Sequence, residues 1–135
     1  MRVRGEISKN NRYWIEKHRY YELKHYCLQY PIWKKAYAAL DGYSKASDFP
    51  TGRPGDHSDP TLRCVIAREN FAKRISMVEE AAKKTDEDLG KYVLLGVTEG
   101  LSYDILLARH GIPCCKDVYY EMYRKFFWIL NSLRD

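Results

Sequence analysis

Long apolar runs are missing from this sequence. No stretch approaches the ~18 residues of a membrane span, so no membrane partner is expected. The opening MRVRGEISKNNR lacks the apolar segment of a secretion signal, which points to a cytoplasmic protein. Cysteine is sparse and poorly placed for bridging. Its four copies are Cys27, Cys64, Cys114 and Cys115, and the adjacent pair cannot easily close on itself. That is no disulfide framework and agrees with a reducing compartment. Neither CxxC nor HxxxH spacing occurs, so no zinc site is expected. The glycines are scattered, and none matches a phosphate-binding loop.

Catalytic groups are equally thin. His18 and His25 are seven residues apart on one helical face, too far for joint i, i+4 metal ligation. His57 has no ligand partners at a useful spacing. His110 is the one base near Cys114 and Cys115 in the sequence, where a helix start can lower a thiol pKa. Small residues at a turn are the simpler reading of that cysteine pair. The chain is therefore expected to be no enzyme and to carry no cofactor.

Aromatic residues and helical periodicity are what the sequence does have. Twelve Tyr, and an aromatic content of 14%, argue against intrinsic disorder. No internal repeat is evident, and only the run from Tyr92 to Val97 is ambiguous with a strand. The spacing predicts an all-α fold: a helical bundle with an N-terminal helical hairpin and a C-terminal helix-turn-helix. Three segments are expected: a basic and aromatic hairpin over 1–40, a flexible linker over 41–60, and a bundle over 61–135.

Residues 1–9 read as a basic arm. Asn10 or Asn11 can cap a first helix reaching about Tyr30. It carries one stripe of Trp14, His18, Tyr21, His25 and Leu28 beside another of Tyr13, Tyr20, Leu23, Cys27 and Tyr30. Such a broad arc predicts burial against more than one element, and the aromatic stripe is a candidate dimer surface. Pro31 can open a second helix, with Trp33, Ala36, Tyr37 and Leu40 on one side. Residues 41–60 then hold three of the five Pro and three of the eight Gly, and show no periodicity. The longest helix follows over 61–84, with Cys64, Ala67, Phe71, Ile75, Val78 and Ala82 on one face. Thr85 offers the next N-cap, before a face of Leu89, Tyr92, Val93 and Val97.

The chemistry concentrates in residues 101–124. Ser102 is placed to cap a short helix, Gly111 to end it in a left-handed conformation, and Pro113 to stop continuation. Val118, Met122, Phe126, Ile129 and Leu133 then mark the inward face of a last helix. Two helices joined by a short Gly-containing turn are the signature of a helix-turn-helix. With Val118 inward, Lys116, Asp117, Tyr119, Tyr120, Tyr123 and Arg124 are outward. Together with Ser102 and Tyr103, they are the candidate double-stranded DNA contacts, reading base edges and phosphates. An amphipathic helix with Tyr at its rim, in a plain bundle, fits the same residues.

Charge complicates the DNA reading. The net charge is +5, yet residues 1–45 carry ten Lys/Arg against four Asp/Glu, and residues 85–135 carry six against eight. The positive surplus is N-terminal, so the first helix is expected to share any phosphate contacts.

The run LSYDILLARHGIPCCKDVYYEMYRKFF is similar in layout to the helix-turn-helix of sigma-factor region 4. The whole chain resembles phage transcriptional regulators of the RinA and ArpU type from Gram-positive hosts. The carrying features are Gln29-Tyr30-Pro31-x-Trp33, Val97-Thr98-Glu99-Gly100 and the ending Tyr120, Arg124, Lys125, Phe126, Phe127. The resemblance implies a DNA-binding regulator of late genes acting in the bacterial host cell. Carried over position by position, Lys116, Asp117, Tyr119, Tyr120 and Arg124 take the recognition-helix places. Cys114 and Cys115 stand where such proteins often have Ser or Arg. Glu121 and Tyr123 replace typical basic positions. The alternative expectations are a phage protein that binds and inhibits or redirects a host protein (RNA polymerase or a nuclease-based defence such as CRISPR), or a packaging accessory.

Overall fold

The computed structural model describes residues 11–45 and 60–134, with side chains over 11–40 and 61–134. The basic arm, the segment 46–59 and His57 lie outside the described residues. Six helices follow in order: α1 Lys17–Leu28, α2 Tyr30–Lys45, α3 Pro60–Thr85, α4 Gly90–Glu99, α5 Tyr103–His110 and α6 Lys116–Arg134. The fold is all-helical, and no strand forms among the described residues. None of these helices is long and apolar enough to cross a membrane.

α1 starts later than Asn10 or Asn11 would have it. Asn11 instead closes a turn, its side-chain oxygen accepting from Tyr13 N at 2.8 Å. Glu16 is the N-cap, its carboxylate accepting from the amides of His18 and Arg19. Of the two expected stripes, the second enters the core: Tyr20, Leu23, Cys27 and Tyr30 are buried, while His18 and His25 are exposed. Gln29 breaks the chain for one residue, and Pro31 sits in the first turn of α2, where a missing N–H costs nothing. α2 continues to Lys45, five residues into the expected linker.

α2 and α3 pack antiparallel, pinned by Tyr30 donating to the Glu79 carboxylate and by Arg68 donating to Tyr37 Oη at 3.0 Å. The α3 face lies where the spacing put it. It deepens from half-buried Phe71 and Ile75 to fully buried Val78, Ala81 and Ala82. One buried cluster joins Ile15, Tyr20, Leu23, Cys27 and Trp33 from the N-terminal hairpin to Val78, Val93, Leu106, Phe126 and Leu130. The hairpin thus shares its core with the remaining helices. Arg19, Glu22, Asn131 and Arg134 add a polar tie between α1 and the end of α6, at 2.5–2.9 Å.

The cap before α4 differs from the expectation. Thr85 is the last residue of α3, and its buried hydroxyl donates back to Ala81 O. Leu89 takes the N-cap place with no side-chain bond, and Asp86 closes the turn before it like a cap, accepting from Asp88 N and Leu89 N at 2.8 Å each. Those two amides, Leu89 first, hold the Asp86 carboxyl below its ordinary value. Because the folded state favours the ionised form, the cap is present above about pH 4, the unfolded value. It is lost as pH falls below that through the folded value. Asp86→Ala is expected to cost about 1 kcal/mol, the usual worth of an N-cap. Urea melts at pH 7 check this, and the difference from wild type should shrink in acid.

Candidate functional site

α5 is built by its two ends. Ser102 has extended backbone, and its hydroxyl accepts from Ile105 N at 3.3 Å. Gly111 takes the left-handed conformation (φ 62°) and returns its N–H to Leu106 O and Leu107 O. Gly100 ends α4 in the same way, at φ 68°. Residues 111–115 then link α5 to α6, with Ile112 buried as the anchor of the turn. Tyr103 latches it. Its hydroxyl donates to Cys114 O at 2.6 Å, and its backbone N–H points to Tyr120 Oη at 3.4 Å. The sequence's capping residues therefore do what their chemistry implies, and they set the start of α6 at the protein surface.

α6 is turned by about one residue from the expected face. Val118 is 42% exposed, whereas Tyr119 is 1% exposed and faces the core with Phe126, Phe127 and Leu130. Met122, Ile129 and Leu133 are half-buried at the edges. The physical reason is area: a Tyr ring buries far more apolar surface than Val. Four rings from this helix pack edge to face. Tyr119 lies 4.9 Å from Tyr120, Tyr120 lies 5.8 Å from Tyr123, and Tyr123 lies 4.9 Å from Phe127. Tyr20 of α1 joins them, sharing a 2.6 Å hydroxyl–hydroxyl bond with Tyr123.

The candidate DNA contacts divide accordingly. Lys116 and Asp117 are exposed at the first turn of α6. Tyr119 and Tyr103 are buried, so the expectation that they reach DNA is corrected. Tyr123 is likewise turned inward. Burial first, and then the neighbouring Tyr20, push its hydroxyl well above its ordinary value. Tyr120 is half-buried over the α5 start. Arg124 is drawn back along its own helix, donating to Glu121 at 2.9 Å with its side chain 12% exposed. Ser102 is exposed, but its hydroxyl is occupied as a cap.

Three exposed residues were not among the expected contacts: Arg109 and His110, which close α5, and Val118 in the first turn of α6. A basic last turn on α5 was visible in the sequence, but only the rotation of α6 brings Val118 outward. Glu121 lies next along α6, its carboxylate on Arg124.

No protein-family model, no curated protein and no solved structure matches this chain. The geometry alone bears on function.

Two of the cysteines offer little nucleophilic character. Burial raises the Cys114 and Cys27 thiols, the opposite of thiolate activation. Among the described residues, no three His, Cys, Asp or Glu side chains are grouped to hold a metal ion.

Proposed function

We propose that this chain is a DNA-binding transcriptional regulator, of the phage type it resembles, that docks the first turn of α6 against double-stranded DNA. One observation carries this reading. α5, capped at both ends, is joined to α6 by a five-residue turn that leaves the start of α6 exposed with Lys116 upon it, and Arg109 and His110 on the helix before. A helix N-terminus presents free amides and a partial positive charge, which suits phosphate. Lys116 and Arg109 add the counterion-releasing contacts, and the methyls of Val118 suit the thymine methyl in the major groove. The buried tyrosines serve as the rigid platform under that turn.

Fluorescence anisotropy with labelled late-promoter duplexes tests it. Binding should weaken steeply with salt, and Lys116→Ala and Arg109→Ala should each lose affinity without loss of fold. Losses of about 1–3 kcal/mol mark base contacts, whereas smaller, sequence-independent losses mark phosphate contacts. Wild-type affinity in the Lys116→Ala, Arg109→Ala double variant sinks the reading.

A second reading, binding of a host protein such as RNA polymerase, draws on one observation. Leu62, Val65 and Ile66 lie one turn apart on α3 and are 54%, 37% and 49% exposed. An apolar stripe of this kind is a usual feature of a protein-binding helix. It predicts that Ile66→Glu abolishes a complex with purified RNA polymerase in size-exclusion chromatography while Lys116→Ala leaves it intact. Trp33 plays no part in such a surface, being 3% exposed.

A further inference from the structure

A cleft of about 440 Å³ opens between α1, α4, the α4–α5 connector and α6, and no reading above makes use of it. That volume falls within the range of small-molecule sites. Its aromatic lining comes from Tyr21, Tyr120 and Tyr123, with Tyr20 and Phe127 beside them themselves buried. They are set at steep angles to one another: Tyr20 meets Phe127 at 5.3 Å and 79°, and Tyr123 meets Phe127 at 4.9 Å and 69°. Gly100 of the connector faces Leu28 on the opposite side.

The charge in the cleft is one-sided. Lys24 is the sole ionisable cation among the lining residues, and no carboxylate lines it. Lys24 forms no ion pair with any described carboxylate. An ammonium at the lip of an aromatic cavity attracts one anionic group, and the ring edges, positive in their quadrupole, favour the face of a flat π-system.

We propose that this cleft binds a planar aromatic molecule carrying a single anionic group, with that group on Lys24 and the ring plane against Tyr120 and Tyr123. The ligand touches α1, α6 and the connector at once, so its binding energy adds to the stability of the folded state. The site stands independently of the DNA reading, since it is measured without DNA.

Isothermal titration calorimetry and thermal melts of the full chain with 1-naphthoate, indole-3-carboxylate and neutral 1-naphthamide test it. At least one of the two carboxylates should bind one-to-one and raise the melting temperature. The amide should bind at least tenfold more weakly than 1-naphthoate. Lys24→Met should weaken carboxylate binding about tenfold while its own melt stays cooperative, and Leu28→Trp, which places a larger ring in the cleft, should abolish it. The proposal is overturned if neither carboxylate binds, if the amide binds as well as the acid, or if Lys24→Met binds the carboxylates as wild type does.

Discussion

Gly96→Ala is expected to destabilise this protein by about 2 kcal/mol, although Ala is the better helix former by about 1 kcal/mol. The added Cβ would fall onto the Tyr119 hydroxyl, well inside van der Waals contact, and 3.3 Å from the ring carbon that bears it. Tyr119 is fully buried and packed against Tyr103, Tyr120 and Tyr123, so it has no room to swing away. Its hydroxyl also has no hydrogen-bond partner among the described residues. A buried polar group left in that state costs about 1–3 kcal/mol. Tyr119→Phe alone should therefore be neutral or stabilise by about 1 kcal/mol. In the Tyr119→Phe background, Gly96→Ala should lose most of its cost, because the colliding atom is gone and only the 3.3 Å approach remains. Urea denaturation of the four proteins closes this double-mutant cycle. Equal cost for Gly96→Ala in both backgrounds would show that α4 and α6 do not meet at this pair.

Phe126→Ala carries the second large effect. Phe126 is completely buried in the shared core, with its ring 5.1 Å from Phe127 at 84°. Truncation removes the transfer energy and leaves a cavity, together about 3–5 kcal/mol. The informative comparison lies along the same helix. Val118→Ala should change stability by less than about 0.5 kcal/mol, as an exposed substitution does. Tyr119→Ala should cost several times more. The opposite order, with Val118 sensitive and Tyr119 tolerant, would restore the helix face read from aliphatic spacing and return Tyr119 to the exposed side.

Particular residues show what the sequence could reveal. Ser102 and Gly111 were legible because each acts through local backbone chemistry that needs no tertiary partner. The α3 face was legible because Val78 and Ala82 repeat at helical spacing with charges between them. Asp86 was not, since Thr85 and Asp86 are both good caps and the choice rests on where α3 stops. The rotation of α6 was hidden for a related reason. Val118-Met122-Phe126 and Tyr119-Tyr123-Phe127 both run at spacings of four, and only the volume offered by α1, α4 and α5 selects the tyrosines. That selection turns Tyr119 and Tyr123 inward and leaves Val118 exposed. The cleft beside Tyr123 had no sequence signature, because its walls come from four separate segments.

The most direct test of the DNA-binding reading is a titration of the isotope-labelled protein with late-promoter duplex, followed by backbone amide chemical shifts. The expected result is movement of Arg109, His110, Lys116, Asp117 and Val118, with the α3 amides of Leu62, Val65 and Ile66 unmoved. Shifts confined to α3, or no shifts at stoichiometric DNA, would contradict it.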